Sequence, residues 1–435
     1  MKKIIYKLQN KTSYPLRPPI LLPGVVPFDK NAPVLAMDQP AYSSLPIAAF
    51  DGFPGYSTLA QLTTRAEYRA MAESLSVELT RRWIRLTSSN DIGEQKLKPL
   101  EAFLDSLDVR RHIRKLAEND AYFGRGQLYF ELRGADSSKP LILDRRTIPL
   151  DSFVNLQVIE PIWSTPAAYN AYDALSSDFY KPSAWFVMGR EVHASRFSTL
   201  ITRPLPDFLK PAFNFSGMSL SQLAQPYVDN WLRTRQSVSD LVSNFSVTAL
   251  STSMDQILSG DDEDGSQLLS RAELFTSLRT NKGLMLLDKE REELGQINTP
   301  LSGLYQLQAQ AQEHLCSVSR LPAIILTGIS PSGLNATSEG EIRVFYDWIN
   351  AQQEAHYRPI LKKIIDIAQY SLFGEVDPEI NFVFNPLYQL SEKEQCEVRK
   401  IDSETASNYV GMGVLAPAEE RERLRSDAGG LYNAL

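Results

Sequence analysis

Two long amphipathic helical patterns, separated by about fifty residues, constrain the fold of this chain more than any other feature. The first begins near Pro226, whose missing N–H costs little at a helix start. At 1.5 Å per residue, residues 226–245 would reach roughly 30 Å. Its apolar face consists of Tyr227, Val228, Trp231, Leu232, Val238, Leu241, Val242 and Phe245. The second pattern opens at Thr299 and Pro300, a cap followed by proline, and ends at Pro322. The sequence therefore predicts two rods that must each bury one face.

The element inserted between the rods, residues 246–298, has a mixed pattern. Residues 247–250 and 283–287 are strand-like, and a short helix is predicted at 267–278. Four consecutive acidic residues form its tip: Asp261, Asp262, Glu263 and Asp264. Their charge favours a basic patch on whatever binds there.

The link that follows the second rod has no charged side chain over residues 323–337. An ordinary interhelical turn needs fewer than these fifteen residues, and long ordered loops tend to be functional. Gly333 and Asn335 suit left-handed backbone, so a shaped loop is expected. Ser338 and Glu341 then form a capping box that opens a third helix.

The rest of the chain predicts a mixed α+β body. Helical patterns cover 60–86 and 99–117, and strand patterns cover 127–133, 153–159, 185–188 and 381–384. Repeated βαβ units are not seen, which argues against a parallel nucleotide-binding sheet. Pro359 should kink the third helix near residues 355–356. Two more helices are expected, one from Ser391 to a stop at Gly411 and one begun by Pro417.

Composition excludes several classes of protein. The 435 residues carry 45 basic and 52 acidic side chains, a net charge of -7, which disfavours a protein that coats nucleic acid. Two cysteines 80 residues apart make neither a disulfide framework nor a zinc site. The first residues lack the apolar run of a signal peptide, and the sequence contains no bilayer-spanning stretch. We therefore expect a soluble, intracellular protein with no membrane partner.

The search for catalytic chemistry finds little. The histidines are His112, His193, His314 and His356, and they are scattered. A two-histidine phosphoesterase needs two histidine-x-serine/threonine elements, and only one is present, at 193–195. Phosphate-binding and nucleophile-elbow motifs are missing. We predict no catalytic residue, no metal site and no cofactor. Scattered carboxylates leave one alternative open, a metal-dependent nuclease or phosphodiesterase, and a scaffold or adaptor is a third.

Several strings of this sequence resemble the portal proteins of tailed bacteriophages. The main one is Leu-Pro-Ala-Ile-Ile-Leu-Thr-Gly-Ile-Ser-Pro-Ser-Gly-Leu-Asn-Ala-Thr at 321–337, followed by Glu339-Gly-Glu-Ile-Arg and Phe345-Tyr-Asp-Trp-Ile. Weaker pieces are Gln352-Gln-Glu, Ala121-Tyr-Phe-Gly-Arg-Gly and Phe384-Asn-Pro-Leu. Ser338 stands where the family pattern has glycine, and serine caps a helix as well. The resemblance covers roughly residues 50–425.

The resemblance implies an α+β portal fold with a mixed wing, long stem helices, a small αβ clip, a tunnel loop and a helical C-terminal region. Mapped onto this chain, the parts are a Pro-rich N-terminal arm at 1–50, the first part of the wing at 51–218, stem helices at 219–245 and 299–320, the clip at 246–298, the tunnel loop at 321–338, a kinked helix with the second part of the wing at 339–385, and a crown-side C-terminal region at 386–435.

The resemblance also implies a function. Portal subunits form a ring, of about twelve copies, at the capsid vertex of the virion, and are assembled in the host cytoplasm. Double-stranded DNA passes through the ring during packaging and ejection, and the family has no enzymatic role. Expected partners are other copies of the chain, the terminase large subunit, a head-tail adaptor, and the major capsid and scaffold proteins.

Three sets of residues would carry this function. The DNA-channel set lies in the tunnel loop: Thr327, Ser330, Pro331, Ser332, Gly333, Leu334, Asn335 and Thr337. The partner-binding set is the acidic tip of the clip, and the subunit-interface set is Trp231 and Phe245. No basic residue lies between Arg320 and Arg343. Because each phosphate neutralised by a basic side chain adds affinity, we interpret the loop as a low-affinity sleeve for moving DNA.

Overall fold

A computed structural model describes residues 52–89, 91–243, 246–251, 293–298, 303–328, 338–388 and 392–426. The predicted arm at 1–50, the helix at 267–278 and the strand at 283–287 lie outside these ranges. The described helices are α1 (Tyr56–Leu62), α2 (Ala66–Arg81), α3 (Asp91–Ser106), α4 (Val109–Phe123), α5 (Leu220–Ser243), α6 (Leu304–Ser319), α7 (Ala323–Thr327), α8 (Ser338–Gln352), α9 (Arg358–Phe373), α10 (Glu392–Gly411) and α11 (Pro417–Ser426).

The strands form small antiparallel sheets. They are β1 (Ile84–Ser88), β2 (Gly126–Leu132), β3 (Phe153–Ile159), β4 (Ser164–Pro166), β5 (Ala184–Val187), β6 (Arg190–His193), β7 (Phe197–Leu200), β8 (Ser246–Ser251), β9 (Glu293–Asn298) and β10 (Ile380–Phe384). Their orders are β3-β2-β7, β4-β5-β6, β1-β10 and β8-β9. Every pair among these strands is antiparallel. The α+β prediction is confirmed, as are the predicted strands at β2, β3, β5 and β10.

One core joins distant parts of the sequence. Leu116 of α4, Leu128 of β2, Ile364 of α9 and Val228 of α5 are all fully buried in it. The β1–β10 pair aligns Leu86 with a partner almost 300 residues later in the chain. Residues from before and after the two rods therefore pack as a single body.

The first helical pattern is wrong as a continuous helix over 60–86. α1 ends at Leu62, α2 begins at Ala66, and β1 begins at Ile84. The break has a local cause: the hydroxyls of Thr63 and Thr64 donate to backbone carbonyls three residues earlier, at 2.7 Å each. These bonds satisfy carbonyls that the next helical turn would otherwise use.

The second pattern, 99–117, is also two helices rather than one. Pro99 lies inside α3, which begins at Asp91, and the chain reverses at Asp108 before α4. Asp108 has φ 49°, a left-handed conformation that aspartate tolerates better than most residues. α4 then continues to Phe123, beyond the predicted end.

The first rod begins within one residue of the mapped stem helix at 219–245, but well before Pro226, and the second rod begins later than Pro300. α5 starts at Leu220, and Pro226 lies inside it. The Ser219 hydroxyl accepts the N–H of Gln222 at 3.0 Å and so caps the earlier start. α6 begins at Leu304, after Gly303 with φ 88°, rather than at Pro300.

The predicted disruption of the third helix is found as a π-helical turn. α8 begins at Ser338, as expected, and the five residues Gln353–Tyr357 form the π turn before α9. Pro359 occupies the first turn of α9, where its missing N–H is harmless. Gln353 is buried in the π turn and donates to the Leu79 carbonyl at 2.8 Å. The end of α10 at Gly411 and the start of α11 at Pro417 are confirmed.

Arg125 is the largest fully buried side chain among the described residues, with 0% of its surface exposed. Its guanidinium donates to the Asn214 carbonyl at 2.7 Å, to the Pro161 carbonyl at 3.3 Å and to both the carbonyl and hydroxyl of Ser164 at 3.0 and 2.9 Å. It also lies 4.3 Å from the centre of the Trp185 ring. Burial lowers the pKa of Arg125 to about 10, so the group stays charged at neutral pH. It ties β2 to the β4-β5-β6 sheet.

Glycine is required on the N-terminal side of this arginine. Gly124 has φ 80°, and a Cβ there would lie 2.1 Å from the Gly217 carbonyl oxygen. The two backbones touch because the Gly217 N–H donates to the Gly124 carbonyl at 2.9 Å. The Gly-Arg-Gly string is therefore a crossing point of two segments.

Candidate functional site

The two rods pack side by side, and their burial falls along their length. At the base, Ala224 and Val228 of α5 and Leu315 of α6 are buried. Towards the β8–β9 end, apolar side chains of both helices are exposed: Leu241, Val242, Tyr305 and Leu307. Part of the predicted apolar face therefore has no cover within the described part of the chain.

Trp231, predicted to lie at a subunit interface, sits partway along α5. Its ring is half-buried against the core, and its indole N–H is buried without a hydrogen-bond partner among the described residues. The guanidinium of Arg235 lies 4.9 Å from the ring centre, a cation–π distance. Phe245, the other predicted interface residue, lies outside the described residues.

The start of the predicted loop is helical rather than irregular. α6 ends at Ser319, the next residue Arg320 has a left-handed φ of 57°, and Pro322 precedes the short helix α7. The Thr327 hydroxyl donates to the Ala323 carbonyl at 2.7 Å and accepts from the Gln312 amide at 3.1 Å. These bonds fix α7 against α6. The first five residues of the uncharged link thus extend the rod's base.

The other predicted channel residues, from Ser330 to Thr337, lie outside the described residues, as do the acidic residues from Asp261 to Asp264. Their roles stay predictions. The structure does describe both ends of the loop, since α7 leads into it and α8 leaves it. The clip is described only by its β8–β9 ladder, in which Val247 aligns with Ile297.

A cavity of about 300 Å³ lies where the rods meet the body. Leu79 of α2, Leu220 of α5 and Trp348 of α8 belong to the apolar part of its wall, and the wall also has a polar part. Arg320 lies at its exposed side, with its guanidinium 5.6 Å from the centre of the Trp348 ring. The cavity therefore combines apolar wall residues with a cationic side chain that water reaches.

An ion pair between a buried carboxylate and a partly exposed guanidinium forms the polar end of this cavity. An Arg203 guanidinium nitrogen lies 2.8 Å from the Asp120 carboxylate, and that carboxylate accepts the Thr202 N–H at 3.0 Å. Arg203 also donates to the Met218 carbonyl at 2.9 Å. Burial raises the pKa of neighbouring Tyr357, so its phenol stays neutral. This network joins α4 to the segment that leads into α5.

Sequence reasoning missed Arg125, Asp120 and Arg203. The flanking glycines were the available signal for Arg125, because a Gly-x-Gly string marks a close backbone approach. The Asp120–Arg203 pair had no signal, since its members are 83 residues apart.

The C-terminal helices are the most exposed part of the described chain. α10 and α11 contribute no residue to the core. Apolar side chains stand in water along and just after α10: Val398, Ile401, Tyr409, Met412 and Val414.

Two features of the described ranges bear on other functions. These ranges hold no group of three or more metal-ligating side chains. No helix within them combines the length and the apolar character that a bilayer span requires. The closest histidine contact is internal, between His193 Nδ1 and the Ser195 hydroxyl at 2.8 Å.

Two curated proteins are similar to this chain over most of its length. An uncharacterised protein of Haemophilus influenzae is 23% identical over 359 residues, which cover 80% of this chain and 78% of that protein. The anti-CBASS protein Acb1 of Caulobacter sp. (strain RHG1) is 24% identical over 355 residues, which cover 77% of this chain and 55% of that protein. The chain spans about half the length of the relatives that carry that name.

Among solved structures, the neck of an empty gene transfer agent particle, computed with C6 symmetry, is 16% identical and aligns with a TM-score of 0.46, over 89% of this chain and 94% of that one. The phage portal protein family model matches residues 56–408. That range contains the whole body, both rods and most of α10. The chain belongs to the phage portal protein family.

Proposed function

We propose that copies of this chain close into a ring at the capsid vertex of a virion, and that double-stranded DNA passes through its central hole. The subunit acts as a structural part of the head-tail connector, not as a catalyst. The family match over residues 56–408 supports this role.

One observation in the structure carries the proposal furthest. The rods are buried at their base and exposed towards the clip, with apolar side chains such as Val242 and Leu307 in water. A repeated heterologous interface around an axis would cover the same faces on every copy. α5 and α6 would then form the stem of a ring.

The loop between α7 and α8 would line the hole. Its uncharged sequence supports a wall that touches DNA without holding it, because basic side chains would add affinity with each phosphate contacted. The acidic tip of the clip would meet the terminase large subunit during packaging and a head-tail adaptor afterwards. The major capsid and scaffold proteins are the remaining proposed partners, as the resemblance to portal proteins implies.

Electron microscopy of the purified protein in negative stain tests the ring. We expect top views with a central hole and one rotational symmetry. A protein that stays monomeric at micromolar concentration, in several salt conditions, would contradict the proposal.

A packaging assay tests the channel lining. Ser332→Arg and Asn335→Arg should each slow DNA packaging, because every subunit would add a cation to the hole. Ser332→Gln is the control of similar length without charge. Equal packaging rates for the arginine and glutamine variants would refute the low-affinity sleeve while leaving the ring intact.

The enzyme alternative has its own test. Purified protein is incubated with linear and circular DNA in Mg²⁺, in Mn²⁺ and in EDTA. We expect no metal-dependent cleavage. Cleavage that copurifies with the protein and disappears in EDTA would favour a nuclease instead.

A further inference from the structure

A compact loop between β4 and β5 holds two large apolar side chains entirely in water. The loop runs from Tyr169 to Pro182, which are joined by an isolated backbone bridge, and a second bridge joins Asn170 to Phe179. Tyr172 and Leu175, near the tip, are each 98% exposed. Contiguous exposed apolar surface is the kind that marks interaction sites.

The tip has a fixed backbone conformation. The Asn170 side-chain oxygen accepts the N–H groups of Tyr172 and Asp173 at 3.0 and 3.3 Å, and its amide donates to Asp178 at 2.9 Å. The Asp173 carboxylate accepts the Leu175 N–H at 3.0 Å. The two apolar residues are thus held by hydrogen bonds on either side.

The base of the loop is anchored by aromatic packing. The rings of Tyr169 and Phe215 are 4.6 Å apart, those of Tyr169 and Tyr180 are 5.7 Å apart, and those of Phe179 and Tyr180 are 4.7 Å apart. A projection that is already rigid loses little conformational entropy when it binds. Tyrosine is also among the residues that most often dominate binding interfaces.

The cavity at the base of the rods has the size and charge to receive this tip. A cavity of about 150 Å³ is large enough for a benzene molecule, and this one measures about 300 Å³, with Leu220 and Trp348 in the apolar part of its wall. Its open side carries Arg320, whereas the tip carries Asp173 and Asp178. Apolar surface and opposite charge therefore match between the tip and the cavity.

A second groove, of about 230 Å³, is a poorer receptor for a ring. It is lined by Tyr180, Lys181 and Pro182, which belong to the loop itself or its closing bridge. A tip docking there would bring the partner's tip to the same place, which is a two-fold contact and closes a dimer. The rod-base cavity shares no residue with the loop, as a head-to-tail contact requires.

We propose that Tyr172 and Leu175 of one subunit insert into the cavity beside Arg320 and Trp348 of the next copy. This contact rests on the ring proposed above and defines one of its interfaces. It would place the Asp173 carboxylate near the neighbour's Arg320 and link the body of each subunit to the adjacent pair of rods.

Disulfide trapping tests the contact in the full chain. Cys316 and Cys396 are replaced by serine, and Tyr172→Cys is combined with Arg320→Cys. Mild oxidation should give a ladder of covalent oligomers that dithiothreitol reverses. The control pairs Arg320→Cys with Ile142→Cys, because Ile142 is also exposed but lies outside the loop.

The outcomes separate this contact from the ring itself. Rings in negative stain without a Tyr172–Arg320 ladder, or with an equal ladder in the control, overturn the contact and leave the ring standing. Trapped pairs without closed rings support the contact and count against the portal proposal. Monomers without any trapping overturn both.

A second variant avoids cysteine chemistry. Tyr172→Ser with Leu175→Ser should raise the concentration at which half the chains are assembled by at least about tenfold, as measured by mass photometry. The circular dichroism spectrum and melting of the monomer should not change, since both side chains are already in water. An unchanged assembly midpoint would refute the proposal.

Discussion

The body and the rods of this subunit differ in how their side chains are packed. In the body, a buried arginine, a buried aspartate and the apolar faces of α4 and α9 all find partners within the same chain. In the rods, the described residues cover the apolar faces at the base, and they leave Val242 and Leu307 exposed towards the other end. The described body is therefore packed within its own chain, whereas the outer rods carry apolar surface that the described residues leave uncovered. Substitutions in the body should change subunit stability, and substitutions in the rods should change assembly.

The largest effect on stability is expected at Gly124. Gly124→Ala adds a Cβ 2.1 Å from a carbonyl oxygen at φ 80°, and we expect a loss of about 4 kcal/mol of unfolding free energy. Gly134→Ala is the matched control, because Gly134 has φ 71° with nothing within 4 Å of the added Cβ. It should cost about 1 kcal/mol, from backbone strain alone. Urea unfolding measures both, and equal losses would show that the backbone crossing is not tight.

Arg125 should come next. Arg125→Met keeps most of the volume but leaves the carbonyls of Asn214 and Ser164 without their donor, which we expect to cost about 3 kcal/mol. Arg111→Met is the control, since the Arg111 side chain is 82% exposed and should change stability by less than about 0.5 kcal/mol. Similar midpoints of urea unfolding for the two variants would show that the hydrogen bonds of Arg125 contribute little to the stability of the body.

Lys363 should make the body's stability depend on alkaline pH. Its ammonium donates to the carbonyls of Ser195 and Phe197 at 2.8 and 2.9 Å, and burial lowers its pKa to about 8. The unfolded chain holds this proton up to pH about 10.4, so it binds more protons than the folded chain above pH about 8. Stability relative to Lys363→Met should therefore rise by about 2 kcal/mol from pH 7.5 to 9.5.

Urea unfolding at the two pH values measures the change. Lys362→Met serves as control, because Lys362 is exposed on the same helix and should show no such difference. A flat pH profile for the Lys363 comparison would mean that the folded chain keeps the proton as firmly as the unfolded chain.

The smallest effect on the isolated subunit is expected in the rods. Val242 is 52% exposed, so Val242→Ser should change the unfolding free energy by less than about 0.5 kcal/mol. If the rods form the stem of a ring, the same change should weaken assembly, which sedimentation velocity would detect. If Val242→Ser lowered the stability of the subunit and left assembly unchanged, the rods would behave as we expect of the body.

Sequence pattern predicted the elements whose signals are local. Strands β2, β3, β5 and β10 are short runs rich in aromatic and aliphatic residues, and Gly411 and Pro417 mark helix ends by their own backbone chemistry. The apolar stripe of α8 and α9 was also readable. The breaks at Thr63 and Asp108 were not, because a threonine hydroxyl or a left-handed aspartate interrupts a helix without changing its apolar period.

The candidate site was less predictable, since its parts come together only in three dimensions. The cavity is lined by Leu79, Leu220, Arg320 and Trp348, which lie far apart in the sequence. The sequence around Tyr172 and Leu175 also gave no signal of a docking site, because the residues beside them are small or polar, as in many turns. The tunnel-loop and clip residues, by contrast, were identified by family resemblance and charge, and they remain predictions.

The π turn between α8 and α9 has a geometric consequence for the cavity. Buried residues recur every four positions through it: Phe345, Ile349, Gln353, Tyr357, Leu361 and Ile365. In an ideal α-helix a spacing of four overshoots a full rotation by about 40° at each step. The wider π turn rotates less per residue and so offsets part of this excess rotation. As a result, α8 and α9 keep the same side facing the core. Removing one residue from it would rotate α8 by about 100° and swing the Trp348 indole out of the cavity wall. Chain length in this turn, as much as side-chain chemistry, determines which groups line the space beneath the rods.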